Sequence, residues 1–191
     1  MIYEEDMIQN HLALLEKLGA HRTSHSRRTL MAHLQGTRNL LAEWGNPPAV
    51  CVAGLFHSVY GTYIFDGQCA DVSMRGTIRE AIGSDAERLV YVFCVTDRRC
   101  FYEHLGESHF RLRDIRQDSD LELDAESLAA LIEIEVANVV DQIPYRSRKK
   151  ALAAADLYAD AFARSRDYIS PQASQAAQVL FARLRPPAIG A

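Results

Sequence analysis

Two histidines stand out by their surroundings. His33 lies on the apolar side of a run containing Leu30, Leu34, Leu40 and Leu41, and His57 closes the stretch AVCVAGLFH. An imidazole on such a face must find polar partners, because a buried unsatisfied group costs about 1–3 kcal/mol. Near neutral pH an imidazole can move protons, and its nitrogen lone pair can also bind a transition metal. Ser58, Tyr60 and Thr62 follow His57 at once, more polar groups than the end of a purely hydrophobic helix requires.

Three more residues can join this chemistry. Asn138 interrupts the apolar segment LIEIEVANVV, and a buried amide must be hydrogen-bonded, with Ser58 or His57 as natural partners. Asp97 and Arg98 end the run LVYVFCVT, where a carboxylate and a guanidinium could face a pocket mouth. An ordinary helix-end ion pair accounts for the same two residues. His11, His21, His25, His104 and His109 sit in polar or boundary contexts and are read as surface residues. Cys51, Cys69, Cys94 and Cys100 lack CxxC spacing, so they are read as reduced and mostly structural rather than as nucleophiles.

The elements that must position these groups read as helices. Apolar residues recur at helical spacing over 7–18 and 29–44, each run followed by a glycine (Gly19, Gly45). Pro47 and Pro48 can start a third helix, and the apolar run 49–60 suits a helix buried on all sides. The segment YIFDGQCADVS between Gly61 and the next helix reads as a loop or short hairpin over the pocket. Helices are expected at 75–82 and 86–95, with Ser84 or Asp85 as N-cap of the second. Residues 101–121 are mixed and charged, which suggests short helices. Asp124 should cap a long helix over 125–143 stopped by Pro144, and two closing helices should span 148–166 and 171–185. With almost no strand signal, the expected fold is all-α, an orthogonal helical bundle forming a single domain over 1–191.

Composition narrows the function classes. Hydrophobic residues make up 48% and charged residues 24% of 191 residues, the balance of a globular domain with a real core. The formal net charge is -4, and basic residues are scattered except for the run Arg146 to Lys150, so nucleic acid is not expected as a partner. No segment approaches the roughly 18 uncharged apolar residues of a membrane helix, and the acidic start MIYEEDMIQN lacks a signal-peptide core. A cytoplasmic protein with no membrane partner is expected, and the Ala-rich C-terminal helices leave room for a homodimer face.

The order of these segments resembles the HD-domain superfamily, most closely the stringent-response ppGpp hydrolases. The likeness runs through MAHLQGTRNLLAEWG, PAVCVAGLFHS, IREAIGSDAERLVYVFCVTD and LIEIEVANVVDQ, over about residues 28–145. It implies an HD-type bundle in which His33 and His57 match the first two metal ligands. Ser58 stands where the family has the Asp of its His-Asp pair, Asn138 where it has the final Asp, and Gly61 and Thr62 where the hydrolases carry an acidic pair. Four acidic positions have become neutral. Hard ions used in phosphate chemistry need carboxylate charge, so tight Mn²⁺ or Mg²⁺ binding is not expected from these residues.

Three readings follow. The first is a small-molecule enzyme without a cofactor that uses His-centred acid–base chemistry in a buried polar pocket, with His57, His33 and Asn138 catalytic and Ser58, Tyr60, Thr62, Asp97 and Arg98 contacting substrate. The second is a metal-dependent HD enzyme, a phosphohydrolase or non-haem iron oxygenase, with a single Fe, Zn, Co or Mn ion on His33 and His57 and a carboxylate from Glu135, Asp97 or Asp141. The third is an inactive domain that binds a nucleotide or a partner.

Overall fold

A computed structural model describes residues 2–63, 65, 67–107 and 111–185, with side chains from residue 5 onward. His109 and the Pro186-Pro187 pair lie outside the described residues, as do two positions of the loop after Gly61. Among the described residues the chain forms nine α-helices and two short hairpins.

Helix α1 (Ile2–Lys17) leads into a hairpin of β1 (Ser24–His25) and β2 (Arg28–Thr29). The hairpin was not expected from sequence, because its two-residue turn is Ser26-Arg27 rather than the Asn-Gly type that signals such turns. Both turn residues have positive φ, 47° and 66°. Helix α2 (Leu30–Glu43) begins at Thr29, whose hydroxyl accepts the Ala32 N–H, and ends before Gly45 at φ 80°.

Helix α3 (Pro48–Phe56) starts on its proline as expected but stops four residues earlier than the apolar run suggests. His57 is its C-cap, and Ser58 to Gly61 turn tightly, with Gly61 N–H donating to the Ser58 carbonyl. The early stop decides which way each residue after His57 faces. Thr62 and Phe65 then form an isolated bridge, the short hairpin anticipated there.

Helices α4 (Arg75–Ile82) and α5 (Ser84–Val95) follow. The expected side-chain cap on α5 is absent, since Gly83 occupies the N-cap position with no side-chain bond. The charged stretch beyond resolves into α6 (Arg98–His104) and a hairpin of β3 (Leu112–Asp114) and β4 (Ser119–Leu121). Strands there correct the helical reading. Asp114, buried, accepts the Tyr91 hydroxyl and the N–H groups of Arg116 and Gln117, and this local bonding holds the strand pair. Helix α7 (Ala125–Gln142) carries the expected cap Asp124, and α8 (Arg148–Arg164) and α9 (Pro171–Leu184) are capped by the Ser147 and Ser170 hydroxyls.

One hydrophobic cluster runs from Leu15 through α2, α3, α5 and α7 to Ala177. Leu34, Leu41, Phe56, Val90 and Ile134 are fully buried, each contributing about 1.5–3 kcal/mol from removal from water. Two glycines set how closely the central helices meet. A Cβ on Gly54 of α3 would overlap the Leu41 side chain of α2, and one on Gly36 of α2 would overlap the Asp141 carboxylate of α7. No disulfide joins the four cysteines. Among the described residues, no helix is long and apolar enough to cross a membrane.

Candidate functional site

Close packing of α2, α3 and α7 brings His33 and His57 together. Their Nε2 atoms lie 3.1 Å apart, with side chains 0% and 1% exposed. The rings meet edge to face, their centroids 4.9 Å apart, and His57 also packs edge-on against Phe93.

The partners on the other side of each ring fix its tautomer. His57 Nδ1 lies 2.7 Å from the Gly54 carbonyl oxygen. A carbonyl only accepts, so Nδ1 carries the proton and Nε2 of the neutral ring is bare. His33 Nδ1 lies 2.5 Å from Asp141 Oδ2. The Asp141 carboxylate is also salt-bridged to Arg28 and only accepts; its contact is much shorter than the 3.3 Å from Arg28 Nη2, a donor, to the same nitrogen, and on that ground we assign the His33 proton to Nδ1. The Arg28 guanidinium stacks on the Tyr145 ring at 3.9 Å and holds Asp141 in place.

Two bare Nε2 atoms therefore face each other. The Asn138 side chain lies beside both imidazoles and influences their basicity. Its Nδ2 donates to Glu135 Oε2 at 3.2 Å, which fixes the amide in the cavity wall. With both Nδ1 atoms protonated, two imidazole lone pairs thus converge beside Asn138.

Protonation does not resolve this at neutral pH. Burial pushes the His57 pKa down to about 3, against the raising effect of its bond to Gly54. Burial lowers His33 too, reinforced by its neighbours His57, His25 and Arg28. Groups this weakly basic are poorly matched to proton abstraction near pH 7. They are, however, well suited to donating lone pairs to a cation.

A cavity of about 720 Å³ opens above this centre. Ser58, Thr62, Arg98, Asn138 and Glu135 line it together with His25, while His33 and His57 lie beneath its floor. Glu135, 1% exposed, organises that floor: it accepts the Tyr102 hydroxyl and the Asn138 amide, and lies 3.5 Å from Arg98 Nη1. Arg98 also donates to the Phe93 carbonyl at 3.0 Å and covers the Phe93 ring.

Most residues singled out in the sequence meet here, and two do not. Tyr60 is fully buried and its hydroxyl donates to Glu87 at 3.2 Å, because the early end of α3 turns it into the core. Asp97 caps α6 by accepting the Arg99 N–H at 2.9 Å and lies outside the cavity lining. Its backbone N–H is held by Arg113 of β3, which directs it away. Neither lines this cavity. Of the carboxylates considered as metal ligands, Asp141 grips the far nitrogen of His33, Glu135 acts through Asn138, and Asp97 is elsewhere. Among the described residues no group of three or more His, Cys, Asp or Glu is placed to hold a metal ion.

His25 is a cavity-lining residue that sequence reading missed. It stacks on His33 with centroids 4.4 Å apart and receives the Gln142 amide at Nε2. Its buried position comes from the β1–β2 hairpin, for which the local sequence carries no clear signal. Burial, with Arg146 and Arg28 nearby, pushes its pKa down to about 4. The Cys94 thiol donates to the His57 carbonyl, and burial raises its pKa to about 12, so it is no nucleophile.

A family model described as Domain of unknown function (DUF6817) matches residues 14–98. That stretch contains His25, His33, His57 and Ser58 but stops short of Asn138 and Asp141. No curated protein and no solved structure matches the chain.

Proposed function

We propose that this chain is a small-molecule enzyme of the HD type whose centre holds one borderline divalent ion, Fe, Zn or Co, on His33 and His57. The observation that carries this reading is the pair of bare Nε2 atoms at 3.1 Å. Two imidazole nitrogens bound to one such ion lie about 3.0–3.4 Å apart at ordinary metal–nitrogen distances. Metal-bound imidazoles characteristically donate their other nitrogen to a carbonyl or carboxylate, the roles Gly54 and Asp141 fill here. The donor set fits a borderline ion and not Mg²⁺, because two neutral imidazoles bring no charge.

The bound ion would supply Lewis acidity toward a substrate oxygen or, as iron, a redox centre. The chain's own residues do the rest. Asn138, fixed by Glu135, stands beside the centre. Ser58 and Thr62 offer hydroxyls to a substrate in the cavity. Arg98, 5% exposed and anchored on Glu135 and the Phe93 carbonyl, places a guanidinium at the floor. Protein purified without chelator should contain close to one Fe, Zn or Co per chain by elemental analysis, and His57→Ala should contain none. Full-length protein that remains metal-free after incubation with each ion would reject the reading.

A second reading has one observation in its favour. The Asp141–His33 contact at 2.5 Å is the orienting pair of a general base. If the protein turns over a substrate while free of metal, His33 and His57 act as a proton relay, and Asp141→Asn abolishes that turnover.

A further inference from the structure

The only basic run in the sequence, Arg146 to Lys150, has no role in the centre described above. Its fold is informative. Arg146, Ser147 and Lys150 line the mouth of the cavity, where the N-terminus of the 17-residue α8 begins. Arg27 joins them from the β1–β2 turn. The side chains of Arg27, Arg146 and Lys150 make no ion pair or side-chain hydrogen bond among the described residues. The lining as a whole carries four cationic side chains and one carboxylate, Glu135, which Arg98 already offsets. A protein of net charge -4 therefore turns a positive wall toward its main cavity.

The β1–β2 turn carries Arg27 in a left-handed conformation. Ser26 and Arg27 hold φ values of 47° and 66°, a conformation that side chains bearing Cβ adopt only at a cost and that glycine adopts freely. Arg27 brings a guanidinium to a turn where glycine would fit better.

We propose that this mouth is an anion subsite in which Arg27, Arg146 and Lys150 hold the phosphate or carboxylate group of the substrate whose other end reaches Ser58 and Asn138. Unpaired cations beside a helix N-terminus are suited to such a group. The cavity volume of about 720 Å³ matches a small molecule. The inference rests on the same cavity as the proposed function but not on the metal.

The test is calorimetric binding of pyrophosphate, inorganic phosphate and malonate to the full chain, run both metal-loaded and after EDTA, with glycerol as an uncharged control. At least one anion should bind more tightly than glycerol in the EDTA-treated protein, and whether phosphate or malonate binds more tightly identifies the group. The R146Q/K150Q variant, which loses no ion pair or side-chain hydrogen bond among the described residues, should weaken that binding about tenfold or more. Arg27→Gly should weaken it several-fold with an unchanged or higher Tm, since it relieves the turn. Retained anion binding in a protein that never takes up metal supports the subsite and rejects only the ion. Equal binding of glycerol and the anions, or unchanged affinity in R146Q/K150Q, overturns the subsite.

Discussion

His33 and His57 present Nε2 atoms to each other at 3.1 Å while the Nδ1 of each donates to a fixed acceptor, Asp141 in one case and the Gly54 carbonyl in the other. Lone pairs so arranged repel unless a cation or a donated proton lies between them. The partners on the outer side of each ring thus determine what the inner side can bind.

Asp141 should accordingly control the centre without touching what it binds. Asp141→Asn keeps the shape of the side chain but frees His33 to place its proton on Nε2. We expect metal affinity to fall about 10–100-fold, measured by competition with a chromophoric chelator. Unchanged affinity would show that the tautomer of His33 is not set from this side.

Gly36 gives the same dependence a steric test. Glycine within a helix ordinarily costs up to about 1 kcal/mol relative to alanine, so Gly36→Ala should stabilise an unconstrained helix. Here the added methyl would occupy the place of the Asp141 carboxylate. We expect Gly36→Ala to lower Tm and to reduce metal affinity in parallel with Asp141→Asn. A rise in Tm with normal metal binding would show that α2 and α7 are not held as closely as described.

Acid should destabilise the metal-stripped protein. The pKa values of His25 and His57 lie at about 4 and about 3 in the folded state, against 6.5 ordinarily, and His33 is lowered as well. The unfolded chain then binds more protons below pH 6.5, so the stability these groups contribute is complete above that pH and is lost as pH falls toward the folded values. Each such histidine removes about 1.4 kcal/mol per pH unit in that window. Urea midpoints between pH 7 and pH 4 should fall steeply, and His25→Gln should flatten the slope. A midpoint constant across that range would contradict the burial of these rings.

Far from the cavity, Glu87 provides a control for folding alone. Fully buried, it accepts Arg75, Arg79 and the Tyr60 hydroxyl. Arg79 is half exposed and can return to water, so Glu87→Gln should cost about 1–3 kcal/mol by denaturant unfolding. Metal content should not change.

The sequence made the centre legible where one helix face decided the outcome. His33, Asn138 and the cap Asp124 follow from periodicity and capping chemistry that neighbouring residues enforce. Tyr60 and Asp97 were misplaced because their directions depend on where α3 ends and where β3 lies beside Thr96, both tertiary matters. His25 and Asp141 were undervalued for a similar reason. A hairpin with an atypical turn buries the first, and a glycine in α2 makes room for the second. The polar rim around Arg146 looked like an ordinary solvated run until α8 turned part of it toward the cavity.

Nitrogen-15 NMR of the histidine rings in metal-stripped protein at pH 7 tests the central claim most directly. His33 and His57 should both be neutral Nδ1–H tautomers, and one equivalent of Zn²⁺ should shift both Nε2 resonances together. An Nε2–H tautomer on either ring, or an imidazolium at His33, would contradict the account of two convergent lone pairs.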